Sequence, residues 1–246
     1  MTNDPVIPNP VFCAVDTTDL EAGVALAVAL AGAVGGLKLG KEFFTRHGPD
    51  GVRRLTSAQE LPLFLDLKFH DIPNTVAGAI RAACPMSPYL ITIHAAGGPA
   101  MIAAAAEAAT QGAEAAGVGR PNILAVTVLT SMDQADLVAV GVNDTPSDQV
   151  RRLAALAQKN GADGVVCSPL EIEVLRADLG SDFLLVVPGI RPAGSDQGDQ
   201  KRVMTPAEAM ARGASHLVIG RPITQAGDPA TAARAIAAEL VDAAVS

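Results

Sequence analysis

The chain has 246 residues, 49% of them hydrophobic, yet only 3% are aromatic and none is tryptophan, so a large core must be built from aliphatic side chains. A formal net charge of −8 excludes a general nucleic-acid or anionic-membrane surface, which needs a basic face, and leaves room for a small anion held by a few local cations. The length is generous for one ordinary domain but suits a single (β/α)8 barrel, which needs about 250 residues.

The opening stretch, MTNDPVIPNP, lacks the basic and then apolar pattern of a signal peptide. No apolar stretch reaches membrane-spanning length without Gly, Pro or charge, so a cytoplasmic location with no membrane attachment is expected. From residue 11 onward, short β-rich runs alternate with Ala-rich helical ones. Strands are predicted at VFCAVD (11–16), GGLKLG (35–40), LFLDLK (63–68) and YLITIH (89–94), then at NILAVTVL (122–129), DGVVCS (163–168), FLLVVPG (183–189) and HLVIG (216–220). Most are continuous apolar runs, as expected of parallel strands covered on both faces. Helical patterns lie between them, among them DLEAGVALAVALAGA, MIAAAAEAATQGAEAAG and PSDQVRRLAALAQKNG. The last has Thr145 as a predicted N-cap, Pro146 in its first turn and Gly161 at its end. Strand–helix alternation repeated eight times predicts an α/β fold, a closed (β/α)8 barrel with eight parallel strands, over an open doubly wound sheet. An open sheet would carry a Gly-rich dinucleotide turn after its first strand, whereas this one ends in AVDTTDL. No linker, charge block or repeat divides the chain, so residues 1–246 are read as one domain. Cys13, Cys84 and Cys167 form no CxxC pair and are expected to be small buried hydrophobes, not disulfide partners or zinc ligands.

In such a barrel, chemistry sits at the C-terminal ends of the strands. Asp16 closes the first strand, Lys38 lies near the end of the second, and Asp66 and Lys68 close the third. Two residues apart on a strand, Asp66 and Lys68 are expected to share a face. Asp71 follows in a turn set by Ile72-Pro73, and Asn74-Thr75 leads into the next helix. Only five lysines occur, and two of them, Lys38 and Lys68, fall within apolar strands. A pair of strand-end salt bridges would account for one Asp-x-Lys. Lys38, Asp66, Lys68 and Asp71 together predict an alternating array in which each lysine stays protonated beside carboxylates. Such an array suits a reaction that expels a negative group and then needs a proton at the same place. His70 is expected across the strand from Asp66 and Lys68, in a packing or hydrogen-bonding role. His94 ends the fourth strand and fits either role, while His47 and His216 are expected to be structural.

The seventh and eighth strands carry a second constellation. VVPGIRPAGSDQGDQKRV is a Gly/Pro/Asp-rich loop long enough to close over a ligand, and VIGRPITQAGDP places Gly220 and Arg221 after the eighth strand. Loops at these two positions are the usual phosphate site of this barrel, and the forked arginine donor matches phosphate geometry.

These residues resemble a known family. DLKFHDIPNT is similar to the signature of the orotidine 5′-phosphate decarboxylases, and FCAVD, LKLGKEFFTRHGPD, ITIHAAGG, AVTVLTSM, VVPGIRP, GDQKRVMTPAEA and VIGRPIT follow in the family's order. The resemblance implies a cofactor-free, metal-free decarboxylation of orotidine 5′-monophosphate to UMP and CO2, the last step of UMP synthesis. Lys68 would then protonate pyrimidine C6, with Lys38, Asp66 and Asp71 completing a charged network that also contacts substrate. Asp71 and Thr75 would reach into a partner subunit's site, implying a homodimer. Asp16 and Lys38 would contact the ribose hydroxyls, and Thr130, with Ser131 beside it, the pyrimidine. Arg191, Gln200, Gly220 and Arg221 would hold the phosphate or close the loop upon it.

Three alternatives are open from the residues. A magnesium-dependent 3-keto-6-phosphogulonate decarboxylase or hexulose-phosphate synthase would want an acid where Lys38 stands, to ligate the metal through oxygen. A Schiff-base aldolase would need Lys68 as free amine, which flanking carboxylates disfavour. A non-catalytic phosphate-ligand sensor would need the phosphate grip alone and leave the charged array unexplained.

Overall fold

All eight predicted apolar runs form strands in the computed structural model, which describes residues 9–192 and 204–245. In chain order these are β1 (Val11–Val15), β2 (Gly36–Gly40), β3 (Leu63–Phe69), β4 (Pro88–His94), β5 (Asn122–Val126), β6 (Gly164–Val166), β7 (Leu184–Pro188) and β8 (His216–Ile219). Each pairs in parallel with the next, and β8 returns to β1, so the sheet closes into a barrel and keeps no free edge. Parallel neighbours require a crossover, and helices supply it: α1 (Leu20–Ala29), α2 (Lys41–Thr56), α3 (Pro73–Ala83), α4 (Pro99–Ala116), α5 (Gln134–Ala139), α6 (Pro146–Lys159), α7 (Ile172–Leu179), α8 (Pro206–Ala211), α9 (Arg221–Thr224) and α10 (Pro229–Val245). Strand β5 is shorter than expected. It stops at Val126, and the remaining TVL leaves the ladder while the Thr127 hydroxyl donates to the Val166 carbonyl at 3.1 Å.

Local chemistry places the helix ends. Asp19 caps α1 by accepting from the Ala22 N–H, and the Thr145 hydroxyl accepts from the Asp148 N–H at the start of α6, as its position before Pro146 predicted. In α2 the Gly48-Pro49 pair makes a kink, with Gly48 at φ 59°.

Alternation along the strands divides the core in two. Odd-numbered residues of β1 and β3, such as Val11, Cys13, Val15 and Leu65, pack outward against the helices. Phe12, Ala14, Phe64, Leu90, Leu124, Val186 and Val218 point inward and fill the barrel's lower half. Gly36 completes that layer because a side chain there has no room: a Cβ would lie 2.3 Å from the Phe12 ring. Fully burying each large apolar side chain is worth about 1.5–3 kcal/mol, so this packed interior is a rigid floor beneath whatever lies at the strand ends. The three cysteines are free and buried, as expected.

Candidate active site

Two residues above the apolar layer, the same inward column turns polar. Ala14 is followed on its face by Asp16, Gly36 by Lys38, Phe64 by Asp66 and Leu90 by Thr92. The ladder sets Lys38 beside Ala14 and Asp66 beside Gly40, so these side chains meet at one height of the barrel.

The charges form a chain. Lys38 Nζ lies 3.6 Å from Asp16 Oδ1 and 3.7 Å from Asp66 Oδ2, while Lys68 Nζ donates to Asp66 Oδ1 at 2.6 Å and to Oδ2 at 2.7 Å. The Asp66 side chain is only 12% exposed. Burial alone would raise its carboxyl, but the Lys38 and Lys68 ammonium groups, with hydrogen bonds from Lys68 and Thr92, hold it below the ordinary carboxylate range. Alternating sign is therefore observed, although within one chain it reads Asp16, Lys38, Asp66, Lys68. Asp71 is not part of it. Its side chain is exposed, its Oδ1 accepts from the Ile72 N–H at 2.7 Å, and among the described residues it forms no ion pair.

Lys68 reaches Asp66 by an unexpected route. Leu65 of β3 pairs with Ile91 of β4 and Phe69 pairs with Ile93, so residues 66–68 face Thr92 alone. The surplus is taken up in a bulge at which Lys68 adopts φ 54°, in the left-handed region. That conformation costs a non-glycine residue roughly 1–2 kcal/mol. Simple alternation thus predicted the right neighbours for the wrong reason. The side chains of residues 66 and 68 meet because the backbone folds between them. The freed Lys68 N–H donates to Thr92 Oγ1 at 2.9 Å, and the same hydroxyl donates to Asp66 Oδ1 at 2.9 Å. Sequence reading missed Thr92; the available signal was a hydroxyl in the apolar run YLITIH, on the face that carries His94.

His70 also departs from expectation. Strand β3 ends at Phe69, and strict alternation would in any case have set residue 70 on the side of 66 and 68, not opposite. The ring is exposed and lies 5.3 Å from that of His94, whose imidazole is held below its ordinary pKa by burial first and then by His70, Lys41 and Lys68. Thr75 is exposed in the first turn of α3, on the same outward surface as Asp71 and Ile72, which is 67% exposed.

Beside the charged chain is a cavity of about 260 Å³, walled by Lys38, Asp66 and Lys68, floored by Phe64, Val166 and Val218, and roofed in part by Thr130. Charge on one side and hydrocarbon beneath make a site in which electrostatic interactions are weakly screened. Gly40 closes β2 next to it; a Cβ there would lie 3.3 Å from Lys38 Nζ, so the ammonium occupies space that any larger residue would contest. A larger hollow of about 790 Å³ opens beside Pro62 and Tyr89, at the N-terminal end of the strands, the end that in this architecture serves stability.

The remaining expected residues lie at the ends of the last strands. Arg191 is buried just past β7, where its backbone N–H donates to the Met204 carbonyl and its Nη1 to the Ile190 carbonyl. Gly220 precedes α9 and approaches Ala14 of β1, and Arg221 is the first residue of that helix. Gln200, with most of the 190–202 loop, lies outside the described residues. Ser131 is exposed beside Thr130. Among the described residues, no group of three or more His, Cys, Asp or Glu side chains is disposed to hold a metal ion, and no helix is long and apolar enough to cross a membrane.

Comparison with known proteins bears on what this arrangement does. Residues 9–236 match the family described as Orotidine 5′-phosphate decarboxylase / HUMPS. An orotidine 5′-phosphate decarboxylase of Rhodospirillum rubrum is 61% identical, over 95% of this chain and 94% of the relative. One of Moorella thermoacetica is 53% identical, over 94% of this chain and 91% of the relative. Among solved structures, the orotidine 5′-phosphate decarboxylase of Lactobacillus acidophilus superimposes with a TM-score of 0.82 at 39% identity, covering 94% of this chain and 99% of its own.

Proposed function

This chain belongs to the orotidine 5′-phosphate decarboxylase / HUMPS family, and from that premise we propose that Lys68 is its proton donor, working at the end of the Asp16–Lys38–Asp66–Lys68 chain. The activity is the decarboxylation of orotidine 5′-monophosphate in pyrimidine biosynthesis, by a carbon–carbon lyase. The observation that carries the assignment of roles is the Lys68 ammonium, held at 2.6 Å from a carboxylate on the wall of a cavity with an apolar floor.

The chemistry follows from the charges. When the bond between C6 and the carboxylate breaks, CO2 leaves and the electron pair stays on C6, in the ring plane, where the carbonyls cannot delocalise it. A fixed ammonium stabilises that pair without reorganising. One N–H bond of Lys68 then breaks as the C6–H bond forms, and solvent reprotonates the amine. Asp66, anionic and 12% exposed, faces the substrate carboxylate, so repulsion is relieved as CO2 departs. Lys38, between two carboxylates, neutralises the array where a magnesium-dependent member of the family would want a further acid. The decarboxylase reading needs no cofactor or metal.

Asp16 and Lys38 are assigned to the ribose hydroxyls, Thr130 to the pyrimidine, and Arg191, Gln200, Gly220 and Arg221 to the phosphate. Phosphate contacts far from C6 would turn remote binding energy into a closed, dry site. Asp71 and Thr75 are assigned to the partner's site in a homodimer, a reading supported by their exposure beside an exposed Ile72. Residues 1–246 are read as one domain, located in the cytoplasm.

The test follows the absorbance change when orotidine 5′-monophosphate is added to protein in chelating buffer, with Lys68→Ala as control. Turnover by the unmodified chain and a loss of about 10²–10⁴-fold in the variant are expected. A folded Lys68→Ala protein with near-normal turnover would remove the proton-donor role, and activity that vanishes with chelator and returns with Mg²⁺ would revive the metal-dependent alternative.

A further inference from the structure

The β3 bulge is strained and half-buried on the wall of the charged cavity, and one side chain from the neighbouring strand bonds to it at two points. Residues 66–68 occupy the space opposite a single β4 residue, so the Lys68 N–H has left the regular ladder. Thr92 is fully buried, and its hydroxyl accepts that N–H at 2.9 Å while donating its own proton to Asp66 Oδ1 at 2.9 Å. One hydroxyl therefore joins the backbone of the lysine to the carboxylate that the lysine's own ammonium grips. We propose that Thr92 is a positioning residue for decarboxylation: wedged between the Lys68 backbone and the Asp66 carboxylate, it holds the bulge that aims the Lys68 ammonium into the cavity. The proposal rests on the reading of Lys68 as proton donor.

Three features separate this role from ordinary packing. The bond to the Lys68 N–H compensates a left-handed conformation, φ 54°, that a lysine would otherwise leave. The bond to Asp66 adds to those of Lys38 and Lys68 in keeping that carboxylate charged. Thr127, a comparable buried threonine just past the end of β5, meets only backbone: its hydroxyl donates to the Val166 carbonyl, and among the described residues it bonds to no charged group. Valine has nearly the shape of threonine and neither the donor nor the acceptor. Replacing Thr92 with it would strand the Lys68 N–H and let residues 66–68 settle elsewhere, and displacement of a catalytic group by about 1 Å can cost on the order of 10²-fold in rate.

Thr92→Val and Thr92→Ser are compared with the unmodified chain by steady-state kinetics across pH and by thermal melting. For Thr92→Val, kcat falls roughly tenfold to a hundredfold while KM stays within about threefold, the pattern of an interaction made in the transition state. The acidic limb of its kcat profile moves to higher pH, since Asp66 has lost a donor to its charged form. Thr92→Ser, which keeps the hydroxyl, recovers most of the rate. Should the valine variant fail to fold, Thr92→Cys, which has the shape of the serine variant but only a weak donor and acceptor, is compared with Thr92→Ser and carries the same test. A folded Thr92→Val protein with kcat within twofold and an unmoved pH profile overturns the proposal, as does equal impairment of the valine and serine variants. Lys68→Ala separates the two readings: if it is inactive while Thr92→Val is normal, only the role of Thr92 falls; if it is active, the role of Lys68 falls first.

Discussion

Acidification should destabilise this barrel through one side chain remote from the charged array. His216 opens β8 at the barrel's base, 7% exposed, with its ring 5.2 Å from Phe12 at 84° and 6.0 Å from Tyr89 at 85°. Among the described residues its Nδ1 has no hydrogen-bond partner, and burial pushes its pKa down to about 4 against a smaller opposing effect of the Pro10 backbone. In the unfolded chain a histidine titrates near 6.5. Because the folded value is the lower, the unfolded state binds the extra proton, so the full stability is present above about pH 6.5 and is lost as pH falls towards 4. A gap of about 2.5 units corresponds to about 3 kcal/mol in total, of which about 2 kcal/mol has gone by pH 5. At roughly 2–4 °C per kcal/mol for a chain of this size, the melting temperature should fall by about 4–8 °C between pH 7.5 and pH 5 from this residue alone. Other groups contribute too, and the comparison that isolates His216 is with His216→Leu, melted at both pH values. The variant carries a cavity cost at each pH, so only the difference between its two shifts matters. Identical falls for both proteins would refute the assignment of a neutral, unsolvated His216.

Two further outcomes follow from the site. Gly40→Ala introduces a Cβ 3.3 Å from Lys38 Nζ on a residue whose φ of −95° tolerates alanine, so kinetics should show about tenfold lower kcat/KM with the melting temperature nearly unchanged. If Asp71 completes the site of a partner subunit, Asp71→Ala and Lys68→Ala proteins, each nearly inactive, should regain up to about a quarter of normal activity when mixed under exchange conditions, because half the dimers are then hybrid and each hybrid holds one intact site. No recovery, with hybrids demonstrated by mass, would place Asp71 in its own subunit's site.

Much of this was legible in the amino-acid order. Parallel strands buried on both faces must be apolar throughout, so LFLDLKF and YLITIH stand out, and Asp66 and Lys68 stand out within them. Thr145 before Pro146 marked the start of α6, because the cap interaction spans three residues and needs nothing distant. Misreadings fell where a second strand decides the outcome. Nothing local distinguishes LDLKFH as a bulged strand from a regular one, so the bend at Lys68 was not foreseen and Asp71 was joined to an array it does not touch within the chain. Asp16 took that place, being brought to Lys38 by the pairing of β1 with β2.

The order of residues by itself determined the alternation of strand and helix, the closed architecture and three of the four ions at its mouth, Lys38, Asp66 and Lys68, because hydrophobic periodicity, capping and the cost of burying charge act over a few residues. Only the tertiary structure decided that Lys68 sits in a left-handed bend, that Thr92 ties this bend to Asp66, and that Gly40 leaves room for Lys38. Those depend on the register between neighbouring strands, where contacts far apart in sequence compete, and that competition is resolved only when the barrel closes.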